Sequence, residues 1–284
     1  MTLEQLTIFI AVAEREHLTQ GAAAVGLTPS AASAAVKSLE SFYNVPLFNR
    51  VGRRIELTRE GRVFLDEARR TVAQARATAA VLSELGGLRT GVLDLMASQT
   101  VANYWLPPHL LRFSRRYPGI AVNFSVGNTT EVAQAVISGR VELGFIEGSI
   151  DEPALASTAM VEDRLVVVTG SPIATSLEDV QWVMRERGSG TRAVFEAAMA
   201  HAGIDPATLP VALTLPTNES VLSAVLSSDC AAALSEMVVA PFVQAGQLRV
   251  LAADLPPRRF TLLRHKERRL SAAARQFEQA CREA

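Results

Sequence analysis

Polar side chains stand at four points of the chain where an apolar run ends and a helical pattern begins. Hydroxyl and amide groups beside the free backbone N–H groups of a helix start form an anion-binding arrangement, because the helix dipole is positive there. Ligands of open α/β sheets also bind at the carboxyl ends of strands. We therefore predict a site for a small oxyanion or carboxylate where these four segments meet. Its residues are Ser98, Gln99, Thr100, Asn128, Thr129, Ser189, Gly190, Thr191, Arg192, Asn218 and Glu219.

Three questions about this site stay open at the level of sequence. Each polar cluster, taken alone, is also what an ordinary helix cap looks like. Arg192 either clamps an acidic group of the ligand through two parallel hydrogen bonds or points into solvent. Glu147, which follows the apolar run 144–146, either repels an anion, holds an amine of the ligand, or is a plain surface charge.

The chain offers no catalytic constellation. Its histidines, His17, His109, His201 and His265, are scattered and form neither an H-E-x-x-H motif nor a cluster of metal ligands. The segment 188–190 is not a G-x-S-x-G nucleophile elbow, and the sequence holds no P-loop and no dinucleotide-binding glycine motif. We therefore predict a protein that is not an enzyme and has no cofactor, no catalytic residue and no metal site.

Composition restricts the class of protein further. Twenty-eight Lys and Arg residues balance 29 Asp and Glu residues, so the net charge is −1 and the chain is not a globally basic nucleic-acid coat. Cys230 and Cys281 lie far apart without metal spacing, which is typical of a reducing compartment. The start of the chain lacks a basic signal-peptide region, and no apolar run reaches the length of a membrane span. These features predict a cytoplasmic protein without a membrane partner.

The stretch 19–37 carries a second kind of chemistry. Thr19 can cap a short helix that Gly26 ends, and Thr28 can cap a second helix with Pro29 at its first position. Two short helices across a tight turn predict a helix-turn-helix, whose second helix enters the major groove of DNA. A plain pair of alanine-rich surface helices is the alternative interpretation.

The spacing within the second helix predicts an inner and an outer face. The inner face consists of Ala32, Val36 and Leu39. The outer face consists of Ser30, Ser33, Ala34 and Lys37. Because the outer face is small and polar, it can approach base edges closely, and the lysine can hold a phosphate or a guanine. We predict that this face, together with Thr28, contacts DNA.

Residues 48–57 predict a short hairpin with a turn centred on Gly52 and with Arg50, Arg53 and Arg54 at its tip. A basic hairpin beside a helix-turn-helix acts as a wing that touches the DNA backbone or the minor groove. Residues 37–62 carry six basic and three acidic side chains, a local charge of +3 that suits a compact DNA-binding module. Ordinary solubilising charge is the alternative role of these arginines.

A long helix follows, from Arg59 to Leu85, with Thr58 as its cap and Gly86-Gly87 as its stop. Small and apolar residues recur along it at steps of 4, 3, 4 and 3, which is the 3.5-residue period of a coiled-coil seam. The seam consists of Ala68, Val72, Ala75, Ala79 and Leu82. We predict that the same helix of a second subunit packs against this seam in a homodimer. The alternative is packing against its own chain.

Residues 3–68 resemble the N-terminal module of the LysR-type transcriptional regulators. The matching segments are Leu6-x-x-Phe9-x-x-Val12-Ala13-Glu14, Leu18-Thr19-x-x-Ala22-Ala23, Leu27-Thr28-Pro29-Ser30-Ala31-Ala32-Ser33-x-x-Val36-Lys37-x-Leu39-Glu40, Pro46-Leu47-Phe48-x-Arg50 and Leu57-Thr58-x-x-Gly61. The match stays in one register over some sixty residues, which makes it specific. One departure is Pro29, where the family often has a glutamine, so base readout falls more on the outer-face residues.

The resemblance implies a winged helix-turn-helix, a dimerising linker helix and a C-terminal effector domain, commonly assembled as a homotetramer that bends promoter DNA and contacts RNA polymerase. It also implies effector contacts, because Ser98, Thr100 and residues 189–192 are similar to the contact positions of family members that sense small anions. A solute-binding protein and an α/β enzyme are the alternatives. A solute-binding protein would explain the lobes but not the first ninety residues, and an α/β enzyme would need a catalytic constellation that the sequence does not show.

From Gly91 onward, apolar strand-like runs alternate with helical segments, which predicts two α/β lobes in tandem. The predicted strands are 92–97, 120–126, 142–146, 165–168, 182–185, 211–215, 231–234, 248–251 and 260–264. Two such lobes resemble a periplasmic-binding-protein fold, and the family implies crossovers between them near 160–163 and 256–262. The expected domains are the winged helix-turn-helix at 1–58, the linker helix at 59–88, one lobe at 89–161 and 263–284, and the other lobe at 162–262.

Overall fold

The structure is a computed structural model, and it describes residues 1–51, 54–85, 90–171, 177–253 and 255–282. The chain divides into two compact units. The first comprises residues 1–82 with 138–140, and the second comprises residues 83–137 and 141–284.

The N-terminal unit is a helix-turn-helix with a hairpin and a long helix. Its elements are α1 (Leu3–Ala13), α2 (Leu18–Ala24), α3 (Pro29–Tyr43), β1 (Phe48–Val51), β2 (Arg54–Leu57) and α4 (Arg59–Leu85). Leu6 and Phe9 of α1 pack with Leu39 of α3, Leu57 of β2 and Leu65 of α4, so one core holds four elements together. The helix-turn-helix and the hairpin predicted from sequence are both present.

The two short helices are set by their caps and by one close contact. Thr28 caps α3 as predicted, and Gly26 takes a positive φ of 70° after α2. The predicted cap Thr19 is wrong, because α2 begins at Leu18 and the ring nitrogen Nδ1 of His17 accepts the first-turn N–H instead. Gly21 lies against α1 so closely that a Cβ there would stand 2.6 Å from Cα of Val12.

The C-terminal unit alternates strands and helices as the sequence predicts. Its strands are β3 (Gly91–Ser98), β4 (Ile120–Gly127), β5 (Leu143–Glu147), β6 (Leu155–Asp163), β7 (Leu165–Thr169), β8 (Trp182–Arg185), β9 (Val211–Leu215), β10 (Ala231–Ser235), β11 (Arg249–Leu251) and β12 (Arg258–His265). Its helices are α5 (Leu106–Arg116), α6 (Thr129–Ile137), α7 (Gly190–His201), α8 (Asn218–Leu226), α9 (Glu236–Gln244) and α10 (Ala272–Arg282). A π-helical turn, Val101–Trp105, leads into α5.

These elements form two lobes, each built on a five-stranded sheet. The first lobe has the strand order β4-β3-β5-β12-β6, in which β3 runs parallel to both of its neighbours. Its core has α5 and α10 on one face of the sheet and α6 on the other. The second lobe has the order β11-β7-β10-β8-β9, with α8 and α9 packed in one apolar cluster and α7 in another. The predicted α/β class with an N-terminal winged helix-turn-helix is confirmed.

The chain passes between the lobes twice, after Asp163 at the end of β6 and before Arg258 at the start of β12. These two residues face each other in the antiparallel pairing of β12 with β6. The domain boundaries expected at 161–162 and 262–263 therefore fall inside strands of the first lobe. Strand β6 has no counterpart in the sequence prediction, because it is an edge strand paired only with β12 and lacks a continuous apolar run.

Candidate functional site

The start of α3 is organised around Thr28. Its Oγ1 accepts the N–H of Ala31 at 3.3 Å and lies 3.0 Å from Oγ of Ser30. Pro29 occupies the first turn, where its missing N–H costs no helical hydrogen bond. Two hydroxyl groups are therefore held together at the end of the helix that a helix-turn-helix presents to DNA.

The two predicted faces of α3 separate by burial. Ala32, Val36 and Leu39 are buried, which confirms the inner face. On the outer face, Ser30, Ala34 and Lys37 are exposed and Ser33 is half-buried. A row of short side chains that ends in an exposed lysine is therefore available to a ligand outside the unit. Its contacts with DNA remain a prediction.

The hairpin beside α3 is fixed at its base by an acidic side chain. Oε1 of Glu40 accepts the N–H groups of Leu47 and Phe48 at 2.8 and 3.1 Å. The strands pair in antiparallel register from Phe48 opposite Leu57 to Val51 opposite Arg54. The backbone of Arg50 and of Arg54 lies in these strands, whereas the predicted turn residue Gly52 and wing residue Arg53 lie outside the described residues.

Only the first part of the predicted α4 seam is packed in the core of the N-terminal unit. Ala68 is buried, and Val72 packs beside it in the core of the N-terminal unit. Ala75 is half-buried and Ala79 is exposed. The first part of the seam thus packs against its own chain. The side chain of Leu82 and the predicted stop at 86–87 lie outside the described residues.

In the second unit, the α8 start is bonded across the lobes to the end of β3. The backbone N–H of Asn218 donates to Oε1 of Gln99 at 2.9 Å, and its Nδ2 donates to Oγ1 of Thr100 at 3.0 Å. Nε2 of Gln99 donates in turn to the carbonyl of Pro216 at 2.9 Å. The polar groups of these predicted effector residues are therefore engaged with each other.

Two further contacts extend this set. Nη1 of Arg185, at the end of β8, donates to Oδ1 of Asn218, and its guanidinium also pairs with Glu186 at 2.8 Å. Nδ2 of Asn103 donates to Oε1 of the exposed Glu219 at 3.0 Å. Arg185 was not predicted as a site residue, because only the fold shows that this strand-end arginine is buried beside α8. We call the residues joined by these hydrogen bonds the cross-lobe bridge. They are Gln99, Thr100, Asn103, Arg185, Pro216, Asn218 and Glu219.

The starts of α6 and α7 meet elsewhere between the same lobes. The N–H of Thr130 donates to the carbonyl of Gly188 at 3.2 Å, so the two starts are in contact. A Cβ on Gly190 would stand 2.5 Å from the carbonyl oxygen of Glu147 and 2.6 Å from Oγ1 of Thr129. Only glycine permits this approach. Within the described residues the buried Oγ1 of Thr129 has no hydrogen-bond partner.

The other predicted effector residues differ in whether their polar side chains already make a hydrogen bond within the protein. Oδ1 of Asn128 accepts the N–H of Glu131 at 3.0 Å, which is the helix-cap role that the sequence left open. Ser189 is buried at the start of α7, and its side chain makes no capping hydrogen bond. Oγ of Ser98 donates to the carbonyl of Phe145 at 3.3 Å. We call Ser98, Thr129, Glu147, Ser189 and Gly190 the helix-start pocket.

A buried ion pair stands at the crossover between the lobes. Arg258 and Asp163 lie 2.6 Å apart, with each side chain 1% exposed. Asp163 also accepts a hydrogen bond from Oγ of Ser235, and Nη1 of Arg258 donates to Oγ1 of Thr191 at 3.0 Å. Thr191 is therefore tied to the crossover. The hydrogen bond between Thr191 and the buried Arg258 could not be predicted from the position of Thr191 in the sequence.

Of the two predicted courses of Arg192, the structure contradicts a side chain that points into solvent. Its Nε pairs with Glu196 at 2.7 Å, and its Nη1 donates to the carbonyl of Arg185 at 3.0 Å. The side chain is 14% exposed, so it does not point freely into solvent. Its contact with an effector remains a prediction.

Glu147 is not a surface charge, because it is 3% exposed at the end of β5. Its Oε1 accepts the N–H of Thr100 at 2.9 Å, so a carboxylate lies against the turn that leads into α5.

Nearby, burial and the charge of Glu219 raise the pKa of Tyr104 above 10.0, which keeps this phenol neutral at physiological pH.

Comparison with known protein families decides what this architecture belongs to. Residues 86–284 match the family model for the LysR substrate binding domain, and residues 3–62 match that for the bacterial regulatory helix-turn-helix protein, lysR family. The chain belongs to the LysR family of transcriptional regulators. The family assignment agrees with the predicted DNA-binding regulator and with the prediction that the chain is not an enzyme.

Individual LysR-type proteins match over most of the chain. The HTH-type transcriptional regulator YeiE of Escherichia coli (strain K12) is 35% identical over 99% of this chain and 97% of its own length. The crystal structure of full-length CbnR complexed with the target DNA has a TM-score of 0.67 at 20% identity, covering 100% of this chain and 99% of that one. The regulatory domain of Synechocystis PCC6803 CcmR in complex with 2-PG has a TM-score of 0.60 at 25% identity, covering 68% of this chain and 96% of that one.

Across the described ranges, no three His, Cys, Asp or Glu side chains are grouped as a metal site would require. None of the helices in the described part of this LysR-type chain combines the length and the apolar composition of a membrane span.

Proposed function

We propose that this LysR-type regulator binds promoter DNA and that a small anionic effector, bound between the two lobes, switches its DNA binding or bending. The observation that carries the effector assignment is the meeting of the α6 and α7 starts around the buried, unpartnered hydroxyl of Thr129. Helix starts favour anions, and a buried hydroxyl without a partner is costly unless a ligand satisfies it. The CcmR regulatory domain, solved with 2-PG, supports a small ligand in this class of domain.

The proposed DNA interface consists of the outer face of α3 and the wing. Ser30, Ser33, Ala34 and Lys37 approach the major groove, and Thr28 holds the helix start against the backbone. Arg50, Arg53 and Arg54 of the wing contact phosphates or the minor groove. A dimer then reads a pseudo-palindromic operator whose half-sites lie roughly 34–36 Å apart or a multiple of that.

The assembly we propose is a homodimer and, from two dimers, a homotetramer that acts in the cytoplasm together with RNA polymerase. The unburied part of the α4 seam, at Ala75 and Ala79, supports one contact. The edge strands of the two sheets support a second, because apolar side chains of β4 and β9 are exposed. They are Phe124, Val126, Val211 and Leu213.

The contacts of the cross-lobe bridge support a different role for four of the twelve predicted effector residues. Gln99, Thr100 and Asn218 bond to each other, so we propose that they hold the lobes together while the helix-start pocket binds the effector. An effector shifts such an equilibrium only through a difference in affinity between two lobe arrangements. The bridge is the contact whose making and breaking would carry that difference.

Mobility shift of labelled promoter DNA, with and without small anions, tests this function. We expect the chain to retard promoter DNA, with affinity that falls steeply as salt rises, because lysine and arginine contacts release counterions. An active anion should change the affinity or the bend angle. The double change Thr129→Val and Ser189→Ala should abolish that response and leave binding without effector intact. A full response in the double variant would move the effector site elsewhere.

A further inference from the structure

We propose that Glu147 makes the pocket selective for small acids that also carry a hydrogen-bond donor, such as oxyanions that retain a proton. This inference rests on the proposed effector pocket and adds the class of ligand that the pocket accepts. The reason is that a carboxylate is buried among groups that otherwise favour an anion.

Glu147 lies between the turn that leads into α5 and the start of α7. Its Oε1 receives the N–H of Thr100 at 2.9 Å, and its backbone carbonyl is the group against which Gly190 packs. The residue is 3% exposed. The unpartnered Oγ1 of Thr129 belongs to the same small region. This hydroxyl oxygen and the backbone carbonyl oxygen of Glu147 would both lie within 2.6 Å of a Cβ on Gly190. A ligand at these helix starts therefore lies beside the residue that carries the carboxylate.

The charge of Glu147 is not balanced by a neighbouring cation. Arg185 pairs with Glu186, Arg192 pairs with Glu196, and Arg258 pairs with Asp163. Within the described ranges Glu147 itself forms no ion pair, and Thr100 supplies its one hydrogen bond from the protein. These three arginines are thus paired with other carboxylates, and the pocket contains one acidic side chain without an ion-pair partner among the described residues.

Such a pocket distinguishes ligands by their protons. The helix starts and the Thr129 hydroxyl can donate to an anionic oxygen, whereas Glu147 can only accept. A fully ionised anion places a second negative charge beside the buried carboxylate, without a hydrogen bond to offset the repulsion. A ligand with a remaining O–H or N–H donates to Glu147, and this charge-assisted hydrogen bond is short and strong.

Inorganic phosphate and sulfate are matched probes for this selectivity. Both are tetrahedral oxyanions of similar size, but near pH 7 phosphate retains a hydroxyl and sulfate has none. Thermal melting of the full-length chain against each anion gives apparent dissociation constants, since a ligand that binds the folded state raises the melting temperature. We expect wild-type protein to bind phosphate more tightly than sulfate by at least about tenfold, because the mismatched anion leaves a buried group unpaired.

The variant Glu147→Gln isolates the charge. The amide oxygen still accepts the N–H of Thr100, and the amide nitrogen adds a donor for the ligand. We expect the preference for phosphate over sulfate to fall by at least about tenfold, or to reverse, through a gain in sulfate binding. Glu162→Gln, which changes an exposed glutamate of β6, should leave the preference unchanged. Thr129→Val should weaken both anions and preserve their ratio.

Each other outcome counts against the proposal in a recognisable way. Equal stabilisation by both anions in wild type, or an unchanged ratio in Glu147→Gln, removes Glu147 as the selecting residue and leaves the anion pocket standing. Failure of both anions to stabilise any of these proteins overturns the pocket as well. Promoter binding by the same preparations then shows whether the regulator function survives.

Discussion

At the scale of single residues, Asn218 and Thr129 show why a polar side chain at a helix start does not by itself define a ligand contact. The side chain and backbone of Asn218 are bonded to Gln99, Thr100 and Arg185. The hydroxyl of Thr129 is buried without a partner. The first residue therefore joins two parts of the protein, and the second is the one that we propose for the effector.

His109 makes stability depend on pH in a direction that can be tested. Burial, and then the charge of Arg112, lower the pKa of His109 below 6.5, so the folded state prefers the neutral ring. Its contribution to stability is present above pH 6.5 and is lost as pH falls from 6.5 through the lower folded-state pKa. We expect wild-type protein to lose more melting temperature between pH 8 and pH 5.5 than His109→Asn does. Equal losses in parallel melting curves would contradict this assignment.

At the scale of elements, the helix-turn-helix depends on how closely α2 approaches α1. Gly21 lies against Val12 of α1, and its neighbour Ala22 is fully buried in the core. The caps set the helix ends, but this contact sets the distance between the helices. Glu40 fixes the position of the hairpin, because its side chain accepts two backbone N–H groups at the base of the hairpin.

We expect Gly21→Ala to destabilise the N-terminal unit by about 1–3 kcal/mol, because the new methyl group meets backbone atoms that cannot rotate away. Gly91→Ala is the matched control, since nothing lies within 4 Å of a Cβ at that position. Chemical denaturation measures both changes, and promoter binding should weaken only in Gly21→Ala. If both variants were equally stable, the close packing of α2 on α1 would not matter for folding.

At the scale of the whole molecule, two crossings of the chain and the cross-lobe bridge connect the lobes of the C-terminal unit. The crossings lie beside the buried pair of Asp163 and Arg258. The bridge joins the lobes at another place, through hydrogen bonds between Asn218 and residues of the first lobe. An equilibrium between lobe arrangements would be set by the bridge, because covalent crossings remain in both.

We expect Asn218→Ala to cost about 2–3 kcal/mol of unfolding free energy, because it leaves polar partners, including the buried Arg185, without its side chain. Asn123→Ala removes an exposed hydrogen bond of 2.8 Å to Asp94 and should cost within about 0.5 kcal/mol. Urea denaturation provides both values. The effector response should change in Asn218→Ala alone, and an unaltered response would show that the bridge takes no part in switching.

The sequence by itself determined most elements and both faces of α3, because apolar periodicity and caps act over a few residues. It also indicated which segments come together, through the family pattern and the polar strand ends. It did not determine β6, an edge strand without a strong apolar run, or the division of the polar residues between bridge and pocket. Asn218 and Gln99 are 119 residues apart, and only the packing of two lobes brings them within 2.9 Å. The tertiary structure decided these roles, because whether a buried polar group has a partner depends on residues distant in the chain.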